Sequence, residues 1–257
     1  MIEVSGLCKS FGGTLAVDNL SFTAGDGRIT GLVGHNGAGK TTTFRVLAGL
    51  LDPDAGSAHV DGFDVVRERV QAQSRLGILS DVRGLYPRLT AREHVGYFGS
   101  LHGLAEPALG ERIQALIERL GMQDFADRRA RGYSRGQELK VALARALVHD
   151  PDNLILDEPT NGLDVASTRA VHDLIRERKK AGSAILISSH IMSEVAELCD
   201  HLVIIAAGRV VMSGAPEDLL RRSGQARLED LMLAAHAGAM EAAAGNEAAR
   251  APGEAAE

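Results

Sequence analysis

Gly34-His35-Asn36-Gly37-Ala38-Gly39-Lys40-Thr41 is the most informative run in the chain. It fits G-x-x-x-x-G-K-[ST], the P-loop pattern. A short apolar run, Ile29 to Val33, precedes it, and a stretch of helical character follows as far as Leu51. Strand, glycine-rich loop and helix form the context in which that pattern has chemical meaning. Glycines let backbone N–H groups curl around phosphate oxygens with no Cβ in the way. The start of the following helix adds a dipole that favours anions. Lys40 is the fixed cation for β- and γ-phosphates, and Thr41 is the candidate hydroxyl ligand for Mg²⁺. Thr42 completes the candidate nucleotide-binding stretch. The side chain of His35 is expected to be solvated, with only its backbone in the phosphate cradle.

Asn153-Leu154-Ile155-Leu156-Asp157-Glu158 reads as an apolar strand ending in two carboxylates. Asp157, at the C-terminal edge of a sheet, can reach a metal shell next to the P-loop. Glu158 projects to the other side, because adjacent strand residues alternate. That leaves it free to orient or deprotonate an attacking water. An Asp-Glu pair alone is a weak signal. Its place after a P-loop and before Pro159-Thr160-Asn161-Gly162 is what strengthens it.

Between these two motifs lies Tyr133-Ser134-Arg135-Gly136-Gln137, followed by an apolar helical stretch from Leu139 to Val148. Ser and Gly at a helix start offer either a second anion site or an ordinary N-cap by Ser134. One small nucleotide does not need two such sites in one chain. Two chains arranged head to tail would use both, the P-loop of one facing the Ser-Gly helix of the other.

Taken together, GHNGAGKT, YSRGQ, LILDEPTNGLD and SSH resemble, in order and spacing, the nucleotide-binding domain of ABC transporters. The resemblance covers about residues 2–231. It implies ATP and Mg²⁺ as the ligands and ATP hydrolysis as the activity. It implies that Ser134, Gly136 and Gln137 meet the γ-phosphate bound to a second copy, and that residues 161–164 cross the dimer interface. It further implies that His190 contacts the γ-phosphate and Glu158, and that Phe11 stacks on adenine. By itself, His190 after an apolar strand reads as a cap or core histidine, and Phe11 as a core residue. Two departures stand out. Arg135 occupies the usual first glycine of the signature. Asp81 occupies the position of the usual glutamine, where it is a candidate metal ligand, with a surface carboxylate as the alternative. The segment Ser80 to His94 and the residues after Ala215 are similar to ATPases paired with ABC-2-type permeases, and most similar to the sodium-extrusion subfamily. An ABC ATPase that moves nothing, such as an iron–sulfur-assembly ATPase, is the rival reading.

The rest of the sequence bounds these readings. With 257 residues, 45% of them hydrophobic and 24% charged, it has the material for a large soluble core. A net charge of −6 argues against a nucleic-acid partner. Cys8 and Cys199 are far apart, without metal-ligand spacing, and are expected to be reduced thiols. Residues 1–13 lack an apolar signal core, so secretion is not expected. Runs such as Leu202 to Ala207 fall far short of the ~20 apolar residues that span a bilayer. Any membrane role is expected to come through a permease partner, with the chain cytoplasmic on the inner face of the membrane.

Strand signals at Asn153–Leu156, Ala184–Ser188 and Leu202–Ile205 alternate with helical ones. That predicts an α/β fold with a parallel sheet. The Gly-punctuated alternation of residues 2–28 predicts an antiparallel subdomain. Periodicity from about 90 to 148, with Ile113, Leu116, Ile117 and Leu120 on one face, predicts a helical subdomain. The nucleotide-binding domain is thus expected over 1–236. Residues 237–257, rich in Ala, Gly and Glu, are expected to be a disordered tail, with a loose terminal helix as the alternative.

Overall fold

Five apolar strands share the central sheet because each buries both faces, which parallel strands under helices require. In the computed structural model, which describes residues 1–80 and 84–250, and side chains only to 239, this sheet has six strands. They are β3 (Ile29–Val33), β6 (Leu76–Leu79), β7 (Asn153–Asp157), β8 (Ala184–Ser188), β9 (His201–Ala206) and β10 (Arg209–Gly214), in the order β10-β9-β3-β8-β7-β6. All neighbours pair parallel except β10, which closes one edge antiparallel to β9. A second sheet, β2-β1-β4-β5, is antiparallel throughout. It comprises β1 (Ile2–Phe11), β2 (Thr14–Ala24), β4 (Ala55–Val60) and β5 (Phe63–Asp64). The predicted parallel sheet and antiparallel unit are both present, the latter extended by β4 and β5 from beyond residue 28.

Side-chain alternation along the central strands divides the core in two. Leu154, Leu156, Ile185 and Ile187 face one layer, with Leu139 and Leu143 of α5 (Arg135–Leu147). Ile155, Leu186, Val203 and Ile205 face the other, with Val17, Leu20 and Phe44. Asp157 follows Ile155 by two positions, so the strand aims it at this second layer, where α1 (Lys40–Leu47) begins.

Residues 91–147 carry α3 (Ala91–Leu101), α4 (Ala108–Arg119) and α5. On α4, Ile113, Leu116 and Ile117 are buried, and Leu120 is buried just beyond its end. Thr90 and Glu93 form a capping box that starts α3. Ser134 and Gln137 form another, which starts α5 four residues before the apolar run that marks it in the sequence. Helix α1 stops at Leu47 rather than Leu51, since Gly49 takes a left-handed conformation (φ 66°).

The remaining helices are α2 (Arg69–Ser74), α6 (Val165–Lys180), α7 (Met192–Leu198), α8 (Pro216–Ser223) and α9 (Leu228–Arg250). Helix α9 continues past Ala237, where composition alone had suggested that the ordered chain ends. Its first turns are held by Leu228, Leu231 and Met232, all buried in the core. Residues 251–257 lie outside the described residues. Among the described residues no helix is long and apolar enough to cross a membrane.

Candidate functional site

The P-loop leaves β3 and turns into α1 through two glycines in left-handed backbone, Gly37 (φ 82°) and Gly39 (φ 108°). Gly39 is also the N-cap of α1. A Cβ on Gly34 would lie 2.4 Å from the carbonyl oxygen of Ile205, so this corner has no room for any other residue. Lys40 Nζ folds back onto the loop, donating to the carbonyls of Gly34 and of His35, the latter at 3.1 Å. Burial pulls the Lys40 ammonium below its ordinary pKa, against the opposing attraction of Glu158 and Asp157.

A cavity of about 450 Å³ opens over this loop, lined by Phe11, Ala16, Asn36, Gly37, Gly39, Lys40, Thr41, Thr42, Asp157 and Glu158. The Phe11 ring is half exposed. It sits at the tip of the β1–β2 hairpin rather than in the core, free to offer a flat face to a ring. Gly34 and Ala38 support the loop from its buried side. His35 does not line the cavity. Its Nε2 is buried, and its ring centroid lies 4.3 Å from that of His236 on α9. The expected solvated side chain is thus instead covered by the last helix.

The two carboxylates at the end of β7 are held by β8. Ser188 Oγ donates to Asp157 Oδ1 and accepts from the backbone N–H of Glu158 at 3.2 Å. Asp157 and Ser188 are direct partners in the parallel register. Glu158 takes a left-handed conformation (φ 52°), uncommon for a residue with a side chain. That twist turns it out of the strand. Its Oε2 lies 2.8 Å from Nδ1 of His190, whose side chain is 66% exposed and so open to a ligand or a second chain. Below this pair, Glu194 accepts from Thr160 Oγ1 at 2.7 Å and Ser189 Oγ at 3.4 Å, tying the segment after Glu158 to the segment before His190.

Ser188 and Glu194 are site-supporting residues that the motif reading did not single out. The only signal for Ser188 was its place in the Ser-Ser-His run. Its partnership with Asp157 depends on strand order.

The signature lies elsewhere. Arg135 lines a separate cavity of about 510 Å³, with Gly132, Glu138 and Asn161. Ser134 and Gln137 are bound to one another, Gln137 N–H to Ser134 Oγ at 3.3 Å and Ser134 N–H to Gln137 Oε1 at 3.0 Å. A Cβ on Gly136 would lie 3.1 Å from the carbonyl of Gly162, so signature and the loop 161–164 touch within one chain. Asp164 ends that loop by capping α6, accepting from Ser167 N–H at 2.7 Å. This bond holds the Asp164 carboxyl below the usual range. Asp81 lies outside the described residues.

A glycine-rich phosphate cradle, a lysine and a strand-terminal acid pair at the edge of a parallel sheet define a P-loop nucleoside triphosphatase. The ABC transporter family matches residues 17–161, more than half of the chain. The chain is 45% identical over 217 residues to the ABC transporter ATP-binding protein NatA of Bacillus subtilis, a match covering 84% of this chain and 87% of that protein. It is 36% identical over 220 residues to the Nod factor export ATP-binding protein I of Cupriavidus metallidurans, covering 86% and 73%. A solved ATP-binding subunit of an ABC transporter superposes with a TM-score of 0.86 at 28% identity, over 91% of this chain and 99% of that one. The cassette MJ0796, a dimer bound to ADP and Pi, shares the fold, with a TM-score of 0.77 at 21% identity, over 84% and 98%. The chain belongs to the ABC transporter family. It is an ATP-binding subunit of that family and an ATPase.

Proposed function

We propose that the chain hydrolyses Mg-ATP at two sites shared between two copies and so drives export through a separately encoded membrane permease. One observation carries the catalytic part: Glu158, paired with His190, stands at the rim of the cavity that Lys40 and the P-loop form. The backbone of residues 34–39 binds phosphate oxygens, and Lys40 exchanges its loop carbonyls for β- and γ-phosphate. Phe11 lies against the base. Thr41 and Asp157 line the same cavity and present oxygen donors, which suit a hard cation. Among the described residues no cluster of three or more His, Cys, Asp or Glu forms a metal cage. Magnesium, when bound there, neutralises charge on the β- and γ-oxygens.

Glu158 accepts a proton from the attacking water, whose oxygen bonds the γ-phosphorus as the bridging bond to ADP breaks. His190, whose Nδ1 lies 2.8 Å from Oε2, fixes the carboxylate and reaches the γ-phosphate from the exposed side. Ser134, Gly136 and Gln137 of a second copy close over that phosphate. The names of the relatives support export, since one is a Nod factor export ATP-binding protein and another, from Streptomyces coeruleorubidus, a daunorubicin resistance ATP-binding protein. A permease partner places the chain on the inner face of the membrane.

Replacing Glu158 with Gln removes the base and keeps the volume. Turnover should fall by about 10²–10⁴, while ATP binding persists. The variant should run as a dimer in size exclusion with Mg-ATP and as a monomer without it. Turnover near that of the unsubstituted chain, or a monomer at saturating Mg-ATP, would overturn this reading.

A further inference from the structure

We propose that His236 on α9 is a positioning residue for the phosphate loop, holding His35 from behind so that the loop is ordered before nucleotide arrives. The inference rests on the reading of residues 34–42 as the phosphate-binding loop. Helix α9 is anchored by Leu228, Leu231 and Met232 and packs on β9 and β10. The end of β9 is also what Gly34 rests on, through the carbonyl of Ile205. Loop and helix therefore share one support, and α9 reaches the second residue of the loop.

There the His236 and His35 rings meet at 4.3 Å between centroids, tilted by 45°. The Nε2 of His35 is buried with no hydrogen-bond partner among the described residues, so no bond at that nitrogen competes with the ring contact. The carbonyl of the same residue accepts from Lys40 Nζ and from the N–H of Ala38, each at 3.1 Å. His35 thus has its ring on the far side of the loop and its carbonyl on the lysine side. Fixing the ring restricts the backbone that sets where Lys40 lies.

A loop ordered in advance loses less conformational freedom on binding, so the contact belongs to affinity. It does not touch the reacting atoms, so it leaves the chemical step alone. A ring pair is worth enough to change binding by about 2- to 12-fold.

The test is binding of a fluorescent trinitrophenyl-ATP, together with steady-state ATPase, in the full chain. His236→Ala should weaken binding and raise KM within that range, with kcat unchanged and the melting temperature lowered by no more than a few degrees. His236→Phe, which keeps a flat ring, should recover most of the loss. Lys40→Ala is the control and should abolish catalysis and weaken binding. Unchanged affinity in His236→Ala, or a loss that His236→Phe does not recover, would overturn the inference while Lys40→Ala still behaves as stated. Unchanged affinity and activity in Lys40→Ala would instead remove the reading of the loop itself.

Discussion

Two residues of the site occupy backbone or space that their neighbours dictate. Glu158 has a positive φ because it must leave β7 and face His190, and the bonds of its N–H to Ser188 hold it there. Gly34 has the opposite constraint: its conformation is ordinary, but its surroundings are full. In Gly34→Ala the new Cβ would meet backbone at 2.4 Å and Ile205 Cγ1 at 2.9 Å. Neither β9 nor the loop can yield without moving the cradle. We expect a destabilisation of about 1–3 kcal/mol from overpacking and a larger loss of nucleotide binding. Thermal melting and nucleotide titration of that variant check both. A variant with ordinary melting and binding would show that the corner is softer than its geometry implies.

At the scale of elements, two helix ends meet at a pair of histidines. His102 caps the C-terminus of α3, and His149 follows α5 directly after its cap. Their rings stack at 3.6 Å, only 5° from parallel. Burial is the main cause that pushes His149 down to about 4, with His102 and Arg112 adding to it and the backbone of Leu76 and the charge of Asp150 opposing. Burial likewise lowers His102. Helix C-termini would favour a cation; here desolvation wins.

The sign follows from linkage. The unfolded chain takes up a proton at His149 near its ordinary 6.5, and the folded chain resists until about 4. Stability from this group is therefore whole above pH 6.5 and is lost progressively as pH falls toward 4. His149→Phe keeps the stack without the titration. Its melting temperature should fall less steeply between pH 7 and 4.5 than that of the unsubstituted chain. Parallel profiles would place the acid sensitivity elsewhere.

At the scale of the whole molecule, the P-loop and the signature line two different cavities in one chain. Ser134 and Gln137 satisfy one another, and Gly136 faces the loop 161–164. If two copies pair head to tail as proposed, each signature meets the other copy's P-loop, and complementation should follow. Lys40→Ala and Ser134→Arg chains should each be inactive alone. Mixed, they form dimers in which one site has a sound P-loop from one chain and a sound signature from the other. ATPase activity should reappear on mixing. A mixture as inactive as its components would mean that each chain completes its own site.

What the sequence determined by itself is local in the chain. The P-loop needs Gly34, Gly37, Gly39 and Lys40 within one short run, and an apolar strand ending in Asp157 and Glu158 needs only its own residues. Short contiguous patterns of that kind carry the fold class and the candidate nucleotide contacts. The parallel sheet was legible too, because strands buried on both faces must be apolar throughout. Tertiary structure alone decided the rest. Ser188 became a partner of Asp157 because β8 lies beside β7 in register. His236 came to rest on His35 because α9 and Gly34 both lean on β9. The separation of signature from P-loop came from placing residues 91–147 as a helical unit at the side of the sheet. Each is a contact between segments far apart in the chain. Its energy depends on three-dimensional neighbours, and no periodicity or motif within one segment encodes which neighbour that will be.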